Sequence, residues 1–292
     1  MKTYSDLEGD GGSNVIGQVV SLQNQIKQNL SQIKHIIAIG SGKGGVGKST
    51  LTMQLAAALN HLGQKVSLLD ADVNGPSLAR LSGLQDKPML PGENGLTVPL
   101  TQDGIGVISF GSMVPESEAV NFPSVSQGES HTWRATKEFS TLAQFLAYTD
   151  WGKRDFLLID LPPGAERVFQ FAEFLGEQTK FILITIPSQI SQGVVRRSID
   201  ALNKTNSNAL GLIKNMSGYF CKDCGQIKEL FPNSENKDLG IPLIGEIPFD
   251  PTLANNCDQG ITIQSYIDSP VAKAVINVAQ ELIIKLENKN LN

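Results

Sequence analysis

The stretch HIIAIGSGKGGVGKST (35–50) decides the fold of this chain. It begins as a short apolar run that ends in glycine, which is typical of a buried strand. A glycine-rich turn follows, and the apolar residues after it recur at helical spacing. Residues 42–49 match G-x-x-x-x-G-K-[ST], and they lie between a predicted strand and a predicted helix, the context that this motif requires. The sequence therefore predicts a phosphate-binding loop.

The chemistry of this loop assigns roles to its residues. Its glycines let backbone N–H groups turn inward around phosphate oxygens, and the following helix adds the positive end of its dipole. Lys48 is expected to reach the β- and γ-phosphates, and Ser49 to ligate Mg²⁺. The predicted nucleotide-binding residues of the loop and the first helical turn are Gly42, Lys43, Gly44, Gly45, Val46, Gly47, Lys48, Ser49 and Thr50.

Carboxylates follow two other predicted strands. Strand 65–70 runs into DADVNGPS (70–77), which carries Asp70 and Asp72, and the strand DFLLID (155–160) ends in Asp160. Ligands of open α/β sheets bind at the carboxyl ends of the strands, so we expect Ser49, Asp70 and Asp160 to surround Mg²⁺. Each Asp taken alone could equally be a helix N-cap or a turn residue.

The remaining sequence alternates apolar strands with helices, as in a doubly wound α/β fold with a mostly parallel sheet. Further strands are predicted at 106–110, 180–186, 209–214 and 242–247, with helices at 133–148, 166–175, 192–204 and 269–286. We expect residues 1–14 to be disordered and residues 15–292 to form one domain, which begins with an amphipathic helix (15–33). Long loops are predicted at 113–132 and 217–236.

Composition narrows the classes of function. The chain has 292 residues, 40% of them hydrophobic and 18% charged, and a net charge of −5. This composition is globular, and neither a basic field for nucleic acid nor an apolar run that could span a bilayer is present. The polar N-terminus does not resemble a signal peptide. We therefore expect a cytoplasmic protein without a nucleic-acid or membrane partner.

A second chemical motif is the C-x₂-C of FCKDCG (220–225). Cys221 and Cys224 could hold one metal ion or one edge of a cluster, but zinc sites and iron–sulfur clusters usually need four ligands. The pair is therefore either redox-active or completed by a second chain. Cys257 could add one ligand at most, and we expect it to be a lone thiol, either packed or at the surface.

Lysines at both ends of KGGVGKS (43–49) resemble the variant Walker A motif of the MinD/ParA/ArsA-type ATPases. The resemblance implies a nucleotide-sandwich homodimer in which Lys43 reaches the phosphates bound by the other copy. It also implies that Asp72 orients the attacking water and that Asn215 recognises adenine, although local sequence would also allow a turn-forming Asn there.

The combination of motifs is more specific. SGKGGVGKST, DADVNGPS, IDLPPG, NMSGYFCKDCG and GEIPFDP, in this order over about residues 33–285, resemble the Mrp/ApbC-type iron–sulfur cluster carrier ATPases. That resemblance implies an ATP-hydrolysing enzyme that holds a [4Fe–4S] cluster through Cys221 and Cys224 at a dimer interface and delivers it to apoproteins. The alternatives are a positioning ATPase of the MinD/ParA type and a nickel or zinc metallochaperone.

The sequence departs from that family pattern at several places. Asn74 replaces an aromatic residue of switch I, and Ala165-Glu166-Arg167 replaces Thr-Gly-Asp after LPPG. By resemblance the second segment is switch II, which senses the γ-phosphate, so hydrolysis is expected to be slow or differently coupled. Residues 121–130 look inserted, and FPNSENKD (231–238) replaces a glycine-rich stretch.

Overall fold

The computed structural model describes residues 15–113, 131–221, 224–231 and 239–288. Its strands in chain order are Ile33–Ser41 (β1), Val66–Asp70 (β2), Pro91–Gly92 (β3), Gly95–Thr97 (β4), Gly106–Ile108 (β5), Thr149–Asp150 (β6), Arg154–Asp160 (β7), Thr179–Thr185 (β8), Asn208–Cys221 (β9), Gln226–Glu229 (β10) and Leu243–Phe249 (β11). The α-helices are Val15–Leu30 (α1), Lys48–His61 (α2), Leu78–Leu81 (α3), His131–Tyr148 (α4), Ala165–Leu175 (α5), Gln189–Lys204 (α6), Pro251–Asp258 (α7) and Pro270–Asn288 (α8). Short 3₁₀ helices span Phe110–Ser112 and Ile263–Tyr266.

The main sheet has the strand order β10-β9-β8-β1-β7-β2-β5, and β11 pairs with β9. Its pairings are parallel except for β10, which runs antiparallel to the end of β9. Both faces of the sheet are covered. Ile37 and Ile39 of β1 pack in one apolar cluster with α2 and α8, whereas Ile36 and Ala38 pack in another with α4, α5 and α6. The predicted doubly wound α/β fold is confirmed.

Helix α1 covers part of this core. Leu30 is buried, α1 packs against α4, and the side-chain amide of Asn29 donates to the backbone carbonyl of Ala147. The helix ends three residues earlier than predicted because Ile33, also buried, already enters β1 opposite Arg154. The predicted amphipathic helix therefore packs on the domain itself.

The predicted loop at 217–236 is wrong in part. Strand β9 continues through Cys221 and turns into an antiparallel hairpin, in which Cys221 pairs with Gln226 and Gly218 pairs with Glu229. The sequence also gave no sign of the small sheet β3-β4-β6, whose strands are too short to carry a period-2 pattern. Of the predicted loop at 113–132, residues 114–130 lie outside the described residues, as do residues 1–14.

Parallel pairing brings the predicted site to one edge. Asp70 and Asp160 are register partners at the carboxyl ends of β2 and β7. The phosphate loop follows the carboxyl end of β1, the central strand between β7 and β8. Asn215 lies on β9 at the same edge of the sheet, one residue beyond Lys214, which pairs with the last residue of β8.

Candidate functional site

The glycines of the loop between β1 and α2 meet two separate demands. Gly45 and Gly47 have φ of 77° and 80°, the left-handed region that favours glycine. Space is also restricted, because a Cβ on Gly47 would lie 2.4 Å from Nδ2 of Asn215, and one on Gly42 would lie 2.7 Å from Cγ1 of Val194. The turn of the backbone and its close packing therefore both require glycine in this loop.

Lys48 and Asp160 form the buried centre of the site. Nζ of Lys48 lies 2.7 Å from Oδ1 of Asp160, with side-chain exposures of 7% and 0%. Lys48 also donates to Oγ of Ser49 at 3.1 Å, and the hydroxyl of Thr52 donates to Oδ1 of Asp160 at 2.9 Å. The structure thus brings together the lysine, hydroxyl and carboxylate that the motif and the strand ends predicted. Thr52 was missed, although its position one helical turn after Lys48 could have identified it.

The same cluster offers a place for a magnesium ion. Oδ2 of Asp160 is fully buried and has no hydrogen-bond partner among the described residues. A buried carboxylate oxygen without a donor is costly, and a hard cation with oxygen ligands would satisfy it. Together with the nearby hydroxyl of Ser49, this oxygen fits the donor set of Mg²⁺.

Asp70 is more heavily engaged than the sequence suggested. Its carboxylate accepts hydrogen bonds from the backbone N–H groups of Asp72 (3.2 Å), Ser77 (3.0 Å) and Leu78 (3.0 Å), and from the hydroxyl of Ser109 (2.9 Å). Burial, and then the neighbouring Asp160 carboxylate, raises the pKa of Asp70 to about 7. Asp70 therefore fastens the loop that carries Asp72, and its role as a direct Mg²⁺ ligand stays a prediction.

Asp72 lies at the surface of this fastened loop. It is half-buried, and its Oδ1 accepts from the backbone N–H of Gly75 at 3.1 Å, while Asn74 is exposed. Lys43 is also half-buried, and its backbone carbonyl accepts from the hydroxyl of Ser41 at 3.0 Å. Gly44 is exposed and Thr50 is half-buried on α2. The catalytic roles of Asp72 and Lys43 stay predictions.

Asn215 makes a contact that sequence reasoning did not foresee. Its side chain is buried, and Nδ2 donates a 2.8 Å hydrogen bond to the backbone carbonyl of Val46 inside the phosphate loop. The next residue, Met216, has φ of 53°, a left-handed conformation that is uncommon for a residue with a side chain. Adenine recognition by Asn215 stays a prediction. The hydrogen bond shows that Asn215 also supports the conformation of the phosphate loop.

The C-x₂-C motif lies on the hairpin that extends β9. Cys221 is half-buried as the last residue of β9, and its carbonyl accepts from the N–H of Gly225 at 2.9 Å, while Cys224 is exposed. Neither forms a disulfide bond within the described part of the chain. In the described part of the chain, no group of three or more His, Cys, Asp or Glu side chains could hold a metal ion.

Cys257 occupies a different environment. It is buried in the core beside α2, where its sulfur accepts from Nε2 of Gln54 at 3.2 Å. Burial raises the pKa of the Cys257 thiol, which keeps it protonated and unreactive. Of the two expected placements, packed or at the surface, the structure shows the packed one.

A parallel sheet covered on both faces, with a glycine-rich loop and buried lysine at the carboxyl end of its central strand, defines a P-loop nucleoside triphosphatase fold. The profile of the ParA family described as NUBPL iron-transfer P-loop NTPase matches residues 32–283. The chain belongs to this family.

Similar proteins agree with this membership. The iron-sulfur cluster carrier protein of Methanocaldococcus jannaschii is 34% identical over 91% of this chain and 89% of its own length. The cytosolic Fe-S cluster assembly factor NUBP2 of Bos taurus is 33% identical over 87% of this chain and 94% of its own length. A nucleotide-binding protein of Archaeoglobus fulgidus, solved in complex with ADP, superposes with a TM-score of 0.70 at 31% identity, covering 86% of this chain and 95% of that one.

None of the described helices is both long and apolar enough to cross a membrane.

Proposed function

We propose that this protein is an ATP-hydrolysing carrier that holds a [4Fe–4S] cluster between two copies of the chain and transfers it to apoproteins in the cytoplasm. The observation that carries the proposal is the course of β9. This one strand contacts the phosphate loop through Asn215 and ends at Cys221, close in sequence to the exposed Cys224. The names of the archaeal and bovine relatives support the cargo.

The surroundings of the cysteine hairpin support a second copy as the source of the missing ligands. Two thiolates supply half of the four ligands that a [4Fe–4S] cluster takes. The hairpin and the end of β11 expose the large apolar side chains of Tyr219, Phe220, Ile227 and Phe249. A cavity of about 590 Å³ lies between this surface and the start of α7. Contiguous exposed apolar surface of this kind is typical of an interface.

ATP would bind with its phosphates in the loop. Lys48 would exchange its contact with Asp160 for the β- and γ-phosphates, and Lys43 would reach the phosphates held by the second copy. Ser49 and Asp160, with Asp70 as a further candidate, would hold Mg²⁺, which neutralises charge on the phosphates when it is bound. Asn215 would keep the loop in shape and contact the adenine.

In the reaction itself, the oxygen of a water molecule bonds to the γ-phosphorus while the bond from that phosphorus to the bridging oxygen breaks. The electron pair of the broken bond leaves with ADP. One proton stays on the attacking oxygen, and the released phosphate takes the other. Asp72, on the loop that Asp70 fastens, accepts a hydrogen bond from this water and so orients it for in-line attack.

Iron and sulfide analysis after anaerobic reconstitution tests the proposal. Wild type is expected to hold about four irons and four sulfides per two chains, and Cys221→Ala and Cys224→Ala to lose them. Cys257→Ala is the matched control, since it removes a thiol that is buried in the core. Unchanged iron in the first two variants would refute the cluster site, and zinc in place of iron would favour a metallochaperone.

A further inference from the structure

Backbone hydrogen bonds join the switch II segment to β1, the strand that leads into the phosphate loop. The backbone N–H of Leu161 donates to the carbonyl of Ile39 at 3.0 Å, and the N–H of Gly164 donates to the carbonyl of Ser41 at 2.9 Å. Helix α5 begins at the next residue, and Arg167 lies in its first turn. The position of Arg167 is therefore set relative to the phosphate loop.

The guanidinium of Arg167 is held by contacts with α4 and with its own helix, α5. It forms an ion pair with the carboxylate of Glu138, and the two side chains are 20% and 5% exposed. It also lies 5.5 Å from the ring centroids of both Phe139 and Phe171, and Nη1 donates to Oε1 of Gln170 at 2.8 Å. Removing only one partner of a largely buried ion pair lowers the stability of the fold, because the other charge is left buried without a counter-charge.

The loop that carries Asp72, the residue proposed to orient the attacking water, lies beside the switch II segment, because the N–H of Ala71 donates to the carbonyl of Asp160 at 2.9 Å. Val73 packs in the same apolar cluster as Phe139 and Phe171. Burial raises the pKa of Glu138, Arg167 opposes that rise, and the Asp72 carboxylate adds to it. Arg167, Glu138 and Asp72 thus come from three neighbouring segments, which are α5, α4 and the loop after β2. In this structure the cation of switch II is paired with Glu138.

We propose that Glu138 is a positioning residue for ATP hydrolysis. It pairs with Arg167 and so keeps this cation from pairing with Asp72, whose carboxylate remains available to the attacking water. The proposal rests on the proposed ATPase function and on the role of Asp72 in it. It also gives a reason for the Arg at a switch II position where the family pattern has Asp: Arg is compatible with the reaction only when a second acid binds it.

Steady-state ATP hydrolysis by four proteins tests the proposal: wild type, Glu138→Gln, Glu138→Gln combined with Arg167→Gln, and the matched control Glu173→Gln. Glu138→Gln frees the cation, so kcat is expected to fall about tenfold or more, with the KM for ATP within about threefold. The double variant carries no cation at this position, so its kcat is expected to return to within about threefold of wild type. Glu173 is exposed later in the same helix, so its variant controls for the loss of one carboxylate charge.

Each contrary result has a defined meaning. A purely structural pair would leave kcat unchanged in all variants that are folded at the assay temperature, or would leave the double variant as slow as Glu138→Gln. Either result would overturn the proposal. A crystal structure of Glu138→Gln gives a readout that does not need turnover, because the Arg167 guanidinium is expected within 4.0 Å of the Asp72 carboxylate, the usual limit for an ion pair. If wild type did not hydrolyse ATP, the proposed function would fail, and this structure would still decide whether Glu138 keeps Arg167 from Asp72.

Discussion

The side-chain amide of Asn215 donates a 2.8 Å hydrogen bond to the backbone carbonyl of Val46 in the phosphate loop. Asn215 lies on the same strand as Cys221, and an extended strand would place these two residues about 20 Å apart. A change in the loop on nucleotide binding would therefore act directly on the strand that ends in the cysteine hairpin. The left-handed backbone of Met216, immediately after Asn215, marks the point where this strand departs from regular geometry.

Asn215→Ala should weaken nucleotide binding. The substitution leaves the Val46 carbonyl without its donor in a buried position, at a cost of about 1–3 kcal/mol, and the loop loses its brace. We expect the Kd for ATP, measured by calorimetry, to rise about tenfold or more. Asn203→Ala, at an exposed position on α6, should leave the Kd unchanged. Equal affinities for both variants would show that the Asn215–Val46 bond does not support binding.

Gly47→Ala should damage the same contact by steric means. The new Cβ would lie 2.4 Å from Nδ2 of Asn215 and would have to adopt a φ near 80°. Gly63 is the matched control, because its φ of 83° imposes the same strain but a Cβ there would meet nothing within 4 Å. Both variants should lose about 1–2 kcal/mol of stability from strain. Only Gly47→Ala should also lose ATP binding, and loss of binding in Gly63→Ala would show that strain alone explains the effect.

His35 should make stability depend on pH. Burial, together with Lys180 and Lys34, lowers the pKa of His35 to about 4, against the partly opposing effect of Asp155. The folded protein thus binds fewer protons here than the unfolded chain, whose His pKa is about 6.5. The stabilisation is complete above pH 6.5 and is lost as the pH falls toward 4, by about 3 kcal/mol at most.

Denaturant unfolding of His35→Phe at pH 7 and pH 5 measures this effect. The variant should lose less stability between these two values than wild type does, because Phe does not titrate. His61→Phe is the control, since His61 is exposed at the end of α2. A pH dependence that His35→Phe leaves intact would assign the effect to other groups.

The sequence predicted the parts of this structure that follow from local patterns. Continuous apolar runs such as FLLID indicate strands that are buried on both faces. The loop motif and the strand that ends in Asp160 together predicted that Lys48 and Ser49 would lie near the Asp160 carboxylate, as they do. The hairpin at 217–229 was not predicted, because its second strand is exposed at every residue and has no alternation of apolar and polar residues. The contacts Asn215–Val46 and Glu138–Arg167 were not predicted, because each joins residues that are distant in sequence and meet only in the folded protein.

Lys48→Ala and Lys43→Ala should differ in which step they affect. Removing Lys48 leaves Asp160 buried without its cation, so we expect a loss of about 3 kcal/mol in the free energy of unfolding, together with loss of ATP binding. Lys43 is half-buried and lies before the turn of the loop. Its removal should leave ATP affinity within about threefold of wild type, because each copy still binds nucleotide through its own Lys48.

Hydrolysis separates the two lysines further. If Lys43 acts on phosphates held by the second copy, Lys43→Ala should lower kcat about tenfold or more, and this fall should persist at saturating ATP. Mixing Lys43→Ala with Lys48→Ala chains would then restore part of the activity, because a mixed dimer holds one ATP on an intact Lys48 and receives Lys43 from the other chain. No recovery on mixing, or a large loss of ATP affinity in Lys43→Ala alone, would mean that Lys43 acts within its own chain.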